Sequence, residues 1–488
     1  MLTIRIPSMK KYILNTVLLL SVLISLNACK NVMDEHTEIV NVDNTVDVFQ
    51  KLAAQANLSK FTDFVRTTGY DKLLASSQNY TVWAPTNDAL ATLDAAITAD
   101  PAKLKDFVAN HIALTTIAAL KTATDTLRVS LINKKNATLI GNSFEEAAIT
   151  GKGQFVKNGV VYSIDKAVPT KQNVWEYMLS STDAPLQTNY ISTISTMVID
   201  TANATIIGYT NAGNPIFAAN PPMVSRNAYW TNVADLRAEN QQYTFFMLQD
   251  AAFNSETAKL TPYFSVVDKF ALVRDFTVKG LYTADKLPDT LISTRGVKIP
   301  VSKAAIIKSY RASNGVVHVM SALPFRLKDK VPTFKIEGEL PSGFRTDKTG
   351  NTFYRTKLDN NGIQYKDIEV YNHAFAEFYI RYVRSGVPFV KYKVYTRVIS
   401  GAAGDAQVAS FTQRYFINNP LTSTPETPVY DLFATQTVTP LNYAEVYLGD
   451  YTPKQYGTLD LRLTAANSTA VNVNTLILDY LRFEPILP

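Results

Sequence analysis

The stretch Tyr80-Thr81-Val82-Trp83-Ala84-Pro85-Thr86-Asn87-Asp88-Ala89-Leu90 decides the fold of the N-terminal half of this chain. Alternation over Tyr80 to Trp83 suits a β-strand, and Pro85 stops it. Thr86 is placed to cap a helix that continues through Ala91, Leu93 and Ala96. Asp88 puts a negative charge in the first turn, where the helix dipole favours it. Further along the chain, Leu104, Phe107 and Val108 share one face of a second helical segment that ends at His111, which reads as a packed or capping histidine. Asn158-Gly159 then precedes Val160, Tyr162 and Ile164, a hairpin turn followed by a strand ending near Asp165.

The same three-part order returns downstream. Gln242 to Phe253 parallels the first element, Val273 to Phe276 the second, and Asn314-Gly315-Val316-Val317-His318-Val319-Met320 the third. These elements resemble the fasciclin (FAS1) domain, whose first signature reads like TVFAPTNDAF and whose last reads like NGVIHVID. The first unit matches at Thr81, Pro85, Thr86, Asn87 and Asp88, and again at Asn158, Gly159 and Asp165. The second matches at Asn314, Gly315 and His318. It departs where Met247-Leu248-Gln249 replaces the Ala-Pro-Thr stretch, and it carries an insert-like segment from Ile206 to Asn240. It is read as a divergent copy. The resemblance implies compact α+β domains that act in adhesion and matrix contact, with signature residues that hold the fold and do not catalyse.

After Pro324 the pattern changes. Pro332, Gly338, Pro341 and Gly343 punctuate a linker. Ala376 to Tyr382 and Val390 to Val398 alternate as strands joined by a turn at Arg384 to Pro388. Leu459, Leu461 and Leu463 face inward, and Thr475 to Glu484 reads as one strand apolar on both faces. The segment resembles jelly-roll, galactose-binding-like modules of the kind found as carbohydrate-binding domains. Such sites use aromatic platforms, and the candidate glycan contacts are Tyr379 and Tyr395 on the polar sides of strands, with Tyr447, Tyr451 and Tyr456 in loops.

The whole chain has 488 residues, 46% hydrophobic and 18% charged, which excludes wholesale disorder. Lys10 and Lys11, the apolar run Tyr12 to Leu26, and Leu26-Asn27-Ala28-Cys29 read as a secretory signal peptide ending in a lipobox. That resemblance to bacterial lipoproteins implies acylation of Cys29, the one cysteine in the sequence. Asp34-Glu35 resembles a surface-export signal. The expected address is therefore extracytoplasmic, lipid-anchored in the outer membrane of a Gram-negative bacterium and displayed at the surface. Without Arg5, Lys10 and Lys11 the formal charge falls from +6 to +3, with no basic run to support nucleic-acid binding.

No catalytic or dinucleotide motif occurs, and His36, His111, His318 and His373 lie far apart, so no catalytic residue, metal or cofactor is expected. The expected architecture is multidomain: two α+β FAS1-like domains followed by an all-β antiparallel, jelly-roll-like sandwich. Its parts are a signal peptide (1–28), a tether (29–44), a first domain (45–180), a divergent second domain (181–328), a linker (329–344) and the β-sandwich (345–488). The expected function is non-enzymatic adhesion or extracellular ligand binding, with the membrane and a glycan or surface protein as partners. The alternatives are a glycan-binding accessory of a polysaccharide-uptake system and a cell-surface polysaccharide hydrolase.

Overall fold

The computed structural model describes residues 42–118, 122, 124–210, 213–264, 269–466 and 475–488. The signal segment, Cys29 and His36 lie outside the described residues. The chain divides into two compact units, 1–171 and 172–488.

The first unit is built on one sheet. Its strands are β1 (Tyr80–Pro85), β2 (Ile112–Ala113), β3 (Thr126–Ser130), β4 (Asn136–Ile140), β5 (Ser143–Phe144), β6 (Ala147–Val156) and β7 (Gly159–Ile164). They lie in the order β2-β1-β7-β6-β5-β4-β3. β1 and β7 pair in parallel, Tyr80 opposite Gly159, and every residue of β1 is buried. Trp83 stacks on Phe144 with centroids 4.5 Å apart.

Asn158 is the joint of this unit. Its Oδ1 accepts from the Val48 amide at 2.8 Å, and its Nδ2 donates to the carbonyls of Leu74 (2.8 Å) and Ser76 (2.7 Å). It therefore ties the helix Val48–Ala53, whose capping box is Asp47 with Gln50, to the turn that feeds β1. Gly159 follows because a Cβ there would lie 2.0 Å from the Tyr80 carbonyl oxygen, and its φ is +152°.

The second unit repeats this wiring. After an arm of β8 (Ser195–Ile199), β9 (Ile206–Tyr209), β10 (Pro215–Phe217) and β11 (Met223–Asn227) come β12 (Tyr243–Leu248) and β13 (Thr277–Lys279). The pair β14 (Thr290–Ile292) and β15 (Lys298–Pro300) precedes β16 (Ile306–Ala312) and β17 (Gly315–Met320). The sheet order is β13-β12-β17-β16, with β12 parallel to β17 and Tyr243 opposite Gly315. Asn314 accepts from the Val174 amide at 2.9 Å and donates to the Leu236 (2.8 Å) and Ala238 (3.2 Å) carbonyls. A Cβ on Gly315 would lie 2.1 Å from the Tyr243 carbonyl oxygen. The helix Val174–Ser180 carries the equivalent capping box, Asn173 with Glu176. It opens the second repeat, so the boundary expected at 180 lies at 171, because this helix is the one Asn314 holds.

Other expectations change for local reasons. No continuous helix starts at Thr86: its hydroxyl accepts from Ala89 at 3.2 Å over a 3₁₀ turn, Ala89–Thr92, and a separate helix, Ala95–Thr98, is capped by Asp94. Asn87 is recruited elsewhere, accepting from Lys60 N (3.0 Å) and donating to Ala56 O (2.9 Å). The direct passage from strand to helix occurs in the second repeat instead, from β12 into Asp250–Leu260. The insert starts at Ser195, earlier than expected, and exposes Met197, Ile207 and Tyr209. It rejoins the core at Tyr229, whose hydroxyl lies 2.8 Å from the Thr277 hydroxyl.

The C-terminal region holds β18 (Phe334–Glu337), β19 (Gly343–Phe344), β20 (Thr352–Leu358), β21 (Gln364–Val370), β22 (Tyr379–Val387) and β23 (Lys391–Arg397). It continues with β24 (Phe411–Asn418), β25 (Tyr430–Val438), β26 (Val446–Tyr451), β27 (Gly457–Ala465), β28 (Leu476–Leu478) and β29 (Tyr480–Ile486). These form three antiparallel sheets, β18-β29-β23-β26, β19-β22-β27-β24-β25 and β20-β21-β28. Leu459, Leu461 and Leu463 point inward as expected and join Tyr392, Val394, Leu481 and Phe483 in one core.

The stretch 329–344, expected as a linker, is structural. Lys330 is fully buried and donates to Asp275 Oδ2 at 2.5 Å and to the Ala271 carbonyl at 2.9 Å, closing the C-terminal end of the helix Phe270–Val273. Burial pushes its ammonium down to about 8, against the pull of Asp275. Four residues later β18 enters the four-stranded sheet. The turn expected at Arg384 to Pro388 is a bulge within β22, with Gly386 in the left-handed region.

Removing the Asn158 or Asn314 side chain strands one buried amide and two carbonyls, at about 1–3 kcal/mol per lost partner. Asn158→Ala and Asn314→Ala should each cost roughly 3 kcal/mol or more in denaturant unfolding. Losses of only a few tenths would show that the joint is dispensable.

Candidate functional site

The motif residues shared by the two repeats do structural work. The Thr81 hydroxyl donates to the Thr115 carbonyl (2.6 Å) and accepts from Ile117 N (2.9 Å), fastening the loop beyond β2. Thr244 does the same with Gly280 and Tyr282. Asp165 accepts from the Ala148 amide at 2.7 Å, and Pro85 closes β1.

Two of the buried histidines, His111 and His318, have both ring nitrogens occupied. In His111, Nδ1 donates to the Phe107 carbonyl (2.8 Å) and Nε2 accepts from Val168 N (3.3 Å). This fixes a neutral tautomer, and burial lowers the ring to about 4. In His318, Nε2 donates to the Tyr282 carbonyl (2.8 Å) while Nδ1 meets the Ser309 hydroxyl (2.7 Å). Among the described residues no group of three ligating side chains is arranged to hold a metal.

The candidate site lies on the outward face of the sheet β18-β29-β23-β26. Alternation buries Phe334, Ile336, Leu481, Phe483, Tyr392 and Val394 and turns their neighbours outward. Register aligns Lys335, Arg482, Tyr395 and Tyr447 in one row across the four strands. The rings of Tyr395 and Tyr447 sit 5.4 Å apart, and the Arg482 guanidinium lies 4.2 Å from the Tyr395 centroid. Glu445 grips Arg482 with two bonds of 2.8 and 2.6 Å and accepts from Tyr480 at 2.9 Å. Arg482 in turn holds the Glu445 carboxyl below its ordinary range. Tyr447 is 52% exposed, and its hydroxyl donates to Asp450, which pairs with Lys391 at 2.7 Å. The exposed Tyr447 and the half-buried Tyr395, on which Arg482 packs, thus share a braced ribbon of alternating charge.

Next to this row is a cleft of about 310 Å³. β18 and the turn after it supply Lys335, Glu337 and Glu339, and Tyr365 comes from β21. Arg397, Asp479 and Tyr480 complete the wall. Lys335 belongs to both features, its ammonium 3.5 Å from the ring centroid of Tyr480 in the cleft wall.

Asp479 is where the terminal run breaks. The expected single strand Thr475 to Glu484 is two, β28 and β29, in different sheets. Asp479 makes the crossing, its carbonyl accepting from Gly338 N at 2.6 Å and its amide donating to the Arg397 carbonyl at 3.0 Å. Arg397 Nη1 binds its carboxylate at 2.9 Å and Nη2 binds Asp359 at 3.0 Å. Burial nevertheless pushes Asp479 up to about 7; Arg397 opposes the shift, and Asp367 and Glu337 add to it. Burial also raises Glu337. Asp367 itself is closed off by two bonds from Arg355, at 2.7 and 2.6 Å.

The structure brings together only two of the five candidate tyrosines, Tyr395 and Tyr447. Tyr379 lies on another sheet, covered by the Arg462 guanidinium at 4.1 Å, which also stacks on Tyr430 at 3.6 Å. Tyr447 and Tyr451 are in β26 and not in a loop, and Tyr451 turns inward onto Phe433. Tyr456 packs on Phe264, joining the C-terminal region to the second repeat. Glu337, Glu339, Tyr365, Asp479 and Tyr480 were not singled out from sequence; the one available signal was Asp479, a carboxylate inside an otherwise apolar run.

The family model of the fasciclin domain matches residues 56–169. Among solved structures, the chain is similar to a FAS1 domain pair from the insect cell adhesion molecule fasciclin I, at 14% identity over 56% of this chain and 99% of that one, with a TM-score of 0.23. It is also similar to the CBM22-2 xylan-binding domain from Paenibacillus barcinonensis Xyn10C, at 12% identity over 31% of this chain and 99% of that one, TM-score 0.21. A Paenibacillus xanthan lyase is similar at 15% identity over 39% of this chain and 16% of that one, TM-score 0.24. No curated protein matches the chain. The first unit thus carries a fasciclin domain, and the rest of the chain is a large region rich in antiparallel sheet.

Because folding raises the Asp479 carboxyl from its unfolded value near 4 to about 7, the folded chain binds a proton more tightly between those values. Its stabilising contribution is fully present below about pH 4 and is lost as pH rises through 7. Unfolding free energy of Asp479→Asn should therefore be flatter than wild type from pH 4 to 7. Parallel curves through that window would show that Asp479 titrates normally.

Proposed function

We propose that this chain is a non-enzymatic, lipid-anchored surface protein that holds an extracellular glycan on its C-terminal β-region. The observation that carries the reading is the Tyr395–Tyr447 pair, braced by Arg482 and continuous with a polar cleft. Sugar rings stack on aromatic faces, and their hydroxyls need nearby donors and acceptors; a row followed by a cleft supplies both. In this reading the C-terminal sheets are a jelly-roll-like sandwich, supported by the hydroxyls of Thr396 and Tyr415, which meet at 3.0 Å between two of them. The two repeats, the second a divergent fasciclin domain, serve adhesion and presentation. Cys29 carries the lipid in the outer membrane.

A glycan array on the full chain tests binding. Tyr395→Ala with Tyr447→Ala should lower affinity for the captured glycan at least tenfold without changing the melting temperature. Full affinity in that variant, or capture of no glycan at all, would remove the reading. Cys29→Ala should shift the protein from the membrane to the soluble fraction, and an unchanged membrane fraction would contradict the anchor.

A further inference from the structure

Arg397 is committed within the cleft wall, while Glu337, Glu339 and Tyr365 keep open polar atoms. Arg397 is spent on Asp479, Asp359 and the Tyr443 carbonyl. The Lys335 ammonium lies on the Tyr480 ring, and Lys366 is at the solvent-exposed rim. Glu339 Oε2 is buried with no hydrogen-bond partner among the described residues. Glu337 enters no ion pair among the described residues, although Lys335 and Glu339 both act on its charge. Independently of these carboxylates, Tyr365, only 7% exposed, lines the same wall, and its buried hydroxyl has no partner among the described residues. Buried polar groups left open in this way are costly unless something fills them.

The missing occupant must bring hydrogen-bond donors and positive charge. An acidic sugar would meet these two carboxylates, and a neutral one would leave Lys335 as the counter-charge acting on Glu337. Resting on the glycan reading above, we propose that the cleft seats a 2-amino sugar of the bound chain, its ammonium paired with Glu337 and Glu339 and a ring hydroxyl bonded to Tyr365. The row of Tyr395 and Tyr447 then carries the neighbouring sugar units.

The test is calorimetric titration of the full chain at pH 6 with three probes: a fully deacetylated chitosan pentamer, its fully N-acetylated counterpart, and pentalysine. The deacetylated sugar should bind at least tenfold more tightly than either of the others. Glu337→Gln with Glu339→Gln should erase that preference, and Tyr365→Phe should weaken deacetylated-sugar binding severalfold, both with unchanged melting temperatures. Equal affinity for the two sugars, equal affinity for pentalysine, or a preference that survives the double substitution would overturn the amino-sugar assignment. If neither pentamer binds while an array glycan does, this assignment fails and the glycan reading stands; if no glycan binds, both fail.

Discussion

Each repeat depends on one buried asparagine. Asn158 and Asn314 sit where a hairpin turn meets the start of the central parallel pair, and each makes three hydrogen bonds to backbone groups far away in sequence. Those backbone groups belong to the first helix of the repeat and to the turn before its first strand. Without the side-chain amide they would be buried and unpaired. The adjacent glycine is the steric complement, since the facing carbonyl leaves no room for a Cβ. The sheets, the helix that opens each repeat, and the boundary at residue 171 all follow from this joint.

The repeats were legible for the same reason. An Asn-Gly pair before a β-branched run, spaced after an apolar strand, is a local pattern, and local patterns survive in sequence. What the asparagine side chain reaches is not local, so the turn was readable while its grip on residues 48, 74 and 76 was not. The Thr86 helix failed on a similar point: Asn87 has a distant use, and that use overrode local capping. Strand alternation likewise assigned Tyr379 and Tyr395 correctly to polar faces. It could not show that each carries an arginine on its ring, or that Tyr395 alone is extended by a second, exposed tyrosine, Tyr447.

The cleft was illegible because its wall is drawn from β18, β21, β23 and the β28–β29 crossing, each an ordinary strand when read alone. Its one trace was Asp479 in the apolar terminal run. A charge there breaks a strand that hydrophobicity alone would continue, and the break sends the chain from one sheet to another. The same residue gathers Arg397, Asp359 and the β18 turn around the cleft. Lys330 shows related logic where a linker was expected: a buried cation closes a helix end and is held there by Asp275. In both places a charged group inside an apolar context marks a junction between elements.

The most direct test of the account is a crystal structure of the full chain soaked with a glycan it captures. The sugar is predicted to lie across Tyr395 and Tyr447 with one unit entering the cleft beside Glu337 and Tyr365. Density for the sugar over Tyr379 and Arg462, or on the two N-terminal repeats, with the Tyr395 row bare, would contradict it.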